Sequence, residues 1–183
     1  KAMELVASSK LRKAKERADT CRPYFQELYR TLQEIAKGNT EFYSVYAKEA
    51  VQEKCCYVLI AGDRGLAGGY NANLLRCFEE DAKGKMVSVL PIGKKAVEYV
   101  RSNNLEYVTD AFAADCFEIA SILCKEFRQG TFGHVELCYT RFVSILTQNP
   151  ESVPVLPLID IAKEEQGYNE KERIRNLILY EPH

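Results

Sequence analysis

From Ala7 to Ile35 the apolar or small residues fall at Ala7, Leu11, Ala14, Ala18, Cys21, Phe25, Leu28, Leu32 and Ile35, with spacings that alternate between four and three. Such alternation is a heptad seam, and Met3 extends it backwards by one further step of four. The pattern predicts one helix of some 35 residues, with Gly38-Asn39 as its C-terminal stop and Pro23 as a place where it can kink. A helix of that length is about 52 Å long. The residues that follow should form a globule with a diameter of roughly 40 Å, so the helix is expected to overhang its own domain.

The seam changes character along its length. Small Ala7, Ala14 and Ala18 occupy its first half, and bulky Phe25, Leu28, Leu32 and Ile35 its second. Small seam residues let another helix approach closely, whereas the bulky end is suited to docking on a core. No later segment repeats a heptad pattern, so the protruding half is expected to be covered by protein outside residues 1–183. A long amphipathic helix lying on the domain surface is the alternative reading.

Charge follows the same division. Residues 1–37 hold nine Lys and Arg against five Asp and Glu, a net +4, and the remainder carries −5. The excess is concentrated in Lys10, Arg12, Lys13, Lys15 and Arg17, a cluster suited to phosphate, anionic lipid or an acidic protein surface, or simply to solvent.

Beyond Lys54 the pattern switches to short apolar runs separated by helical stretches, which is the mark of an α/β layer fold. Tyr57 to Ala61 reads as a buried strand, preceded by Cys55 and Cys56, and Gly62 to Gly69 as a glycine-rich turn. Leu74, Leu75, Phe78 and Ala82 mark the apolar face of the next helix. Met86 to Leu90 reads as a second strand, Lys94 to Ser102 as a short helix, and Glu106 to Thr109 as a third strand. Phe117, Ala120, Leu123, Cys124 and Phe127 outline a helix closed by Gly130. His134 to Tyr139 and Phe142 to Thr147 are close enough in sequence to be an antiparallel hairpin. After the proline-marked stretch Pro150 to Pro157, Lys163 to Asn176 reads as an exposed loop and Leu177 to Tyr180 as a final strand. The expected fold is α/β: a Rossmann-like three-layer domain with a mixed sheet over residues 55–183, plus a long protruding coiled-coil helix within residues 1–54.

Chemistry has little material to work with. The seven cysteines include no CxxC pair, and an odd count without a framework points to a reducing compartment. With two histidines in the chain, a Cys/His metal site lacks its usual spacing, and no Ser/His or Cys/His relay suggests itself. No apolar stretch approaches the roughly 20 residues of a membrane span. The turn Gly62-Asp63-Arg64-Gly65-Leu66-Ala67-Gly68-Gly69 lies between a strand and a helix, where backbone N–H groups can cradle an anion. As a dinucleotide site it fails twice: two residues separate the first glycines, and Leu90-Pro91 stands where a ribose-binding carboxylate belongs. GxxxxGK[ST] and GxSxG are absent as well. The remaining functional reading is that Arg64 is displayed to the carboxylates of a protein partner; the alternative is that Asp63 caps the turn and Arg64 is solvated.

Four ordered segments carry a resemblance. Lys1-Ala2-Met3-Glu4-Leu5-Val6-Ala7 with Ser9-Lys10-Leu11-Arg12-Lys13-Ala14 resembles the N-terminal helix of the gamma subunits of rotary F-type ATP synthases. Asp63-Arg64-Gly65-Leu66-Ala67-Gly68-Gly69-Tyr70-Asn71 resembles their central glycine turn, with Ala67 where the family normally has Cys. Tyr139-Thr140-Arg141-Phe142-Val143-Ser144 and Leu179-Tyr180-Glu181-Pro182 match further family segments in order.

The resemblance implies a non-catalytic rotor part whose N- and C-terminal helices wind into a coiled coil and turn inside a hexamer of alpha and beta subunits. The epsilon subunit and the c-subunit ring would lie against its base. Met3, Lys10 and Arg12 would belong to the shaft, and Arg64 would stand near the acidic lever segment of beta. No cofactor, metal, nucleic acid or direct membrane insertion is implied. The expected place is peripheral, at the cytoplasmic face of a bacterial cell membrane, coupling proton or sodium flow to ATP synthesis. By the same resemblance the chain begins inside the first helix and ends before the second, with His183 a cloning remnant. A nucleotide-binding α/β enzyme and a coiled-coil adaptor that dimerises through its helix are the competing readings.

Overall fold

The computed structural model describes residues 2–38, 44–47, 51–65, 67–109, 115–144 and 147–158. Contacts divide the chain into two units, Lys1–Phe42 and Tyr43–His183. The heptad pattern resolves into one helix in the first of these: α1 spans Ala2–Gly38, 37 residues, and runs on through Pro23. Proline has no N–H to give the carbonyl of Asp19, one turn earlier, so the helix continues there with one hydrogen bond fewer. Pairs one turn apart line its surface, among them Arg30 with Glu27 at 2.7 Å and Arg22 with Asp19 at 3.4 Å. Such exposed pairs contribute about 0.3 to 0.5 kcal/mol each. Phe25 and Tyr29 stack at 5.7 Å between centroids. Leu11, Phe25 and Leu28, all seam positions, are exposed by 43%, 61% and 45%.

In the second unit a four-stranded sheet has the order β2-β1-β3-β4. β1 (Cys55–Ile60) is parallel to β2 (Val87–Ile92) on one side and to β3 (His134–Phe142) on the other. β4 (Gln148–Leu156) returns antiparallel to β3, which makes the sheet mixed. A central parallel strand is covered on both faces and must be apolar throughout; Cys55–Ile60 meets that requirement. Its alternate residues enter two different cores. Cys55, Tyr57 and Leu59 pack with Leu74 and Phe78 of α2 (Tyr70–Ala82) and with Ala96 and Val100 of α3 (Lys94–Ser102). Cys56 and Val58 pack with Leu123 and Phe127 of α4 (Cys116–Gln129) and with Phe132 and Leu156. A short 3-10 turn, Val45–Ala47, adds Tyr46, which stacks on Phe127 at 5.9 Å.

One polar group enters the first core. The Tyr57 hydroxyl donates to Asp81 Oδ2 at 2.7 Å and accepts from Lys85 Nζ at 2.8 Å. Burial and the Asp81 carboxylate together push the phenol well above its ordinary range.

Several expectations need correction. The second strand of the hairpin is not Phe142–Thr147 but Gln148–Leu156, through Pro150 and Pro154. β4 is an edge strand, and the two prolines, four residues apart, put their imide nitrogens on the same side of it; an outer edge has no ladder to lose there. Pro91 is tolerated in β2 for the same reason. Val89, two residues before it, turns its N–H and C=O outward to Glu106 O at 2.8 Å and Val108 N at 2.9 Å. Those two bonds are what Glu106–Thr109 adds to the ladder: one isolated bridge at Tyr107 rather than a third strand. On α4 the buried stripe is Ile119, Leu123 and Phe127, spaced by four, and Phe117 is 80% exposed. The expected loop at Lys163–Asn176 and strand at Leu177–Tyr180 lie outside the described residues.

Candidate functional site

The turn after β1 is organised by the Asn71 side chain of α2 and by backbone N–H groups at the start of α3. The Gly62 N–H donates to Asn71 Oδ1 at 2.9 Å, and Asn71 Nδ2 donates to the Arg64 carbonyl at 3.3 Å. Asn71 therefore holds the turn at two points from the first turn of α2. On the other side, the Lys94 N–H donates to Asp63 Oδ1 at 3.0 Å and the Lys95 N–H to Gly62 O at 3.1 Å. The N-cap residue of α3 is Gly93, which has no side chain to offer, so Asp63 caps that helix from 31 residues upstream. Sequence reasoning foresaw Asp63 as a cap, but of its own turn rather than of α3.

Gly93 is what lets these pieces meet. Its φ is 89°, and a Cβ there would lie 2.1 Å from the Ala61 carbonyl oxygen. Gly68, at φ 58°, turns the chain into α2 with open space around it.

Arg64 sits at the outer bend of this frame. It is exposed, and among the described residues no hydrogen bond or ion pair takes up its guanidinium. Its backbone is fixed through Asn71 while its head is free to meet a carboxylate in bidentate fashion. The cations Lys94 and Lys95 begin the neighbouring helix, the second paired with Glu98 at 2.5 Å. Beside the turn an open polar depression of about 220 Å³ is lined by Ala67, Gly69, Tyr70, Asn73, Thr140, Gln148 and Pro150.

A phosphate-binding turn would present its N–H groups outward. Here the Gly62 N–H and the first N–H of α3 are already taken by Asn71 and Asp63, whose oxygens occupy the places an anion would use. Nucleophiles are equally withdrawn: burial pushes the thiols of Cys55, Cys56 and Cys138 up to about 12. Among the described residues no group of His, Cys, Asp and Glu side chains is placed to hold a metal. The geometry offers recognition through an exposed cation on a rigid base.

The remaining predicted site residues lie on α1. Met3 and Lys10 are seven residues apart, two helical turns, and so share one side of the helix, while Arg12 lies roughly opposite. Lys10 and Arg12 are exposed; Arg12 Nε approaches Glu16 Oε1 at 3.8 Å. These three belong to the unit Lys1–Phe42, and Arg64 to the unit Tyr43–His183.

Asn71 is the residue that sequence reasoning passed over. Its signal was an asparagine, a poor helix former that bonds readily to backbone, one residue inside a helix that follows two glycines. Asn71→Ala is expected to lower stability by about 1 to 2 kcal/mol through the two lost bonds, read as a lower urea midpoint. Asn71→Asp, which keeps the acceptor for Gly62, should recover part of it.

Comparison with known proteins adds sequence-wide similarity to this geometry. A protein-family model described as ATP synthase matches residues 1–183. The chain is 40% identical over 171 residues to the ATP synthase gamma chain of Ruminococcus albus, covering 86% of this chain and 59% of that one. To the sodium ion specific ATP synthase gamma chain of Acetobacterium woodii it is 34% identical over 165 residues, covering 86% and 55%. It thus spans a little under three fifths of the length of these curated relatives. In fold it is similar to a chain in the central stalk and c-ring structure of the Tetrahymena thermophila mitochondrial ATP synthase. The TM-score is 0.59 at 18% identity, covering 100% of this chain and 79% of that one.

Proposed function

The chain belongs to the ATP synthase gamma-chain family, and from that premise we propose that it is a central-stalk part of a rotary F-type ATP synthase. It couples the flow of protons or sodium ions across a membrane to ATP synthesis or hydrolysis by turning inside the hexamer of alpha and beta subunits. Residues 1–54 form the shaft helix and its connection, and residues 55–183 a Rossmann-like base that meets the epsilon subunit and the c-subunit ring. No bond chemistry takes place on this chain. Its place is peripheral, at the cytoplasmic face of a bacterial cell membrane; among the described residues no helix is long and apolar enough to cross one.

The observation that carries the reading is the seam of α1. A helix of 37 residues leaves Leu11, Phe25 and Leu28 exposed on one heptad stripe, a line of apolar surface that needs a cover. A second helix, wound against it as a coiled coil, supplies that cover in this proposal. Small Ala7, Ala14 and Ala18 allow the close approach, and Met3, Lys10 and Arg12 belong to the shaft. Rotation of an asymmetric shaft gives each beta subunit different contacts, and those differences couple the nucleotide sites. Arg64 meets an acidic segment of beta, since its free guanidinium matches a carboxylate.

The test is reconstitution of the full-length parent with alpha and beta subunits, scoring nucleotide turnover and stalk rotation. The proposal expects turnover-driven rotation, and a parent that assembles without rotating would end it. For Arg64→Ala the expectation is coupling weakened about fivefold, the scale of one lost charge pair of ~1 kcal/mol, with the base folded as before. Unchanged torque would remove Arg64 from the site while leaving the rotor reading intact.

A further inference from the structure

Between Ala7 and Leu32 the heptad seam fixes which residues of α1 stand beside it. On one edge, directly after Ala7, Ala14, Cys21 and Leu28, lie Ser8, Lys15, Arg22 and Tyr29. On the other, directly before Leu11, Ala18, Phe25 and Leu32, lie Lys10, Arg17, Tyr24 and Thr31. A helix wound against the seam meets these two edges as it closes. Every charge on them is basic: Lys10, Lys15, Arg17 and Arg22, all exposed. The acids of the same stretch, Glu16, Asp19 and Glu27, belong to the outer side of the helix. Glu16 lies 3.8 Å from Arg12 and Glu27 2.7 Å from Arg30, and both arginines are outer residues too. Asp19 reaches back to the edge, 3.4 Å from Arg22. At Pro23 the edges change, and beyond it they hold Tyr24, Tyr29 and Thr31, without charge.

We propose that the helix covering this seam is acidic along both of its edges opposite Ala7–Arg22 and uncharged opposite Phe25–Leu32. The inference rests on the coiled-coil reading of α1 above and names the chemistry of the partner that reading requires. Orientation does not alter the requirement. A parallel partner sets each edge against the opposite edge, an antiparallel one sets like against like, and over Lys10–Arg22 both edges of α1 are basic. A second copy of this chain is disfavoured by the same rule, since cations would meet cations.

An apolar stripe flanked by cations is also the pattern of a helix that lies on an anionic membrane. Such a helix needs bulk and charge at the same place. Here they are separated along the axis: Ala7, Ala14 and Ala18 lie between the cations, while Phe25, Leu28 and Leu32 follow them. Small seam residues bury little in lipid but let a second helix come close enough for its edge carboxylates to meet Lys10, Lys15, Arg17 and Arg22.

The experiment titrates the intact chain with two labelled synthetic helices of about four heptads, alike in a seam of Leu and Ala and differing only in Glu or Lys at every edge position. Each peptide repels itself, so neither is lost to self-association. At low salt the Glu helix should bind about a hundredfold more tightly than the Lys helix, because contacts at four cations turn from attraction to repulsion. In about 1 M salt, where charges are screened within about 3 Å, the gap should close to roughly threefold or less. A chain carrying Lys10→Glu, Lys15→Glu, Arg17→Glu and Arg22→Glu should reverse the preference, and glutamate is a good helix former, so α1 is kept. Equal binding of the two peptides by the parent chain would overturn the proposal, as would a preference that survives in the reversed variant. So would a parent chain that sediments as a dimer, or one that ignores both peptides and binds phosphatidylserine vesicles. Each of those results leaves the rotor reading to its own test, which fails only when the full-length parent assembles without rotating.

Discussion

Gly93→Ala should lower the stability of the α/β unit by about 3 to 5 kcal/mol, because two independent costs fall on one atom. An L-residue at φ 89° carries a backbone penalty of order 1 to 3 kcal/mol. The added Cβ would stand 2.1 Å from the Ala61 carbonyl oxygen, and the atom it meets is backbone, which cannot swing aside as a side chain would. Relief requires the end of β2 to part from the end of β1, and overpacking of that kind typically costs a further 1 to 3 kcal/mol. The sum is a large share of the 5 to 15 kcal/mol that holds a domain together. Gly68→Ala separates the two costs: its φ is 58° with nothing within 4 Å, so only the backbone share applies. Urea titrations of the two variants beside the parent chain make the comparison. A Gly93→Ala midpoint equal to that of Gly68→Ala would show that the strands part freely and that the close approach contributes nothing. Where the expected loss is seen, the displaced segment is the one that carries the Lys95 N–H to Gly62 O bond and the Asp63 cap. The frame around Arg64 should loosen before the rest of the sheet.

Those same residues show what could and could not be read from the chain. Elements whose signal is local periodicity were legible: α1 from its heptads, β1 from an unbroken apolar run, α3 over Lys94–Ser102, and the end of α4 from Gly130, which takes φ 75° as a left-handed cap. The first strands and the last helix were placed by the same logic. The misses share a cause, which is that their determinants lie elsewhere in the chain. Pro150 and Pro154 signal a loop until β4 is known to be an edge, and edge position is a property of strand order. Tyr107 makes its single bridge because Val89 happens to turn its polar groups outward. Phe117 fits a helical stripe within α4 as well as Ile119 does, and only the position of the sheet selects the second. At the candidate site, Arg64 could be named from residue type and turn context. Its support could not: Asp63 reaching α3 and Asn71 reaching back to Gly62 are contacts across the fold.

Alkali should destabilise the α/β unit as pH rises past about 9, and the cause lies in the buried thiols of β1 and β3. Cys55, Cys56 and Cys138 are each raised from 9.0 to about 12, chiefly by burial, and the Tyr57 phenol is raised above its ordinary range beside them. A thiol is neutral while it holds its proton, so the folded state keeps protons that the unfolded chain has already released. Stability is therefore fully present below about pH 9 and falls as pH climbs towards 12, where the folded thiols themselves ionise. Each pKa unit corresponds to about 1.4 kcal/mol per group, so three buried thiols should together remove several kcal/mol by roughly pH 11. Urea midpoints measured at intervals over that range, with reductant present to hold the cysteines as thiols, should slope steadily downwards. Cys138→Ala should be the less stable chain near neutrality, from its small cavity, yet show the shallower slope, because one of the three titrations is gone. A slope unchanged by that substitution would mean that water reaches Cys138 on β3 in the folded protein, and the core it belongs to would then be wetter than its closed packing implies.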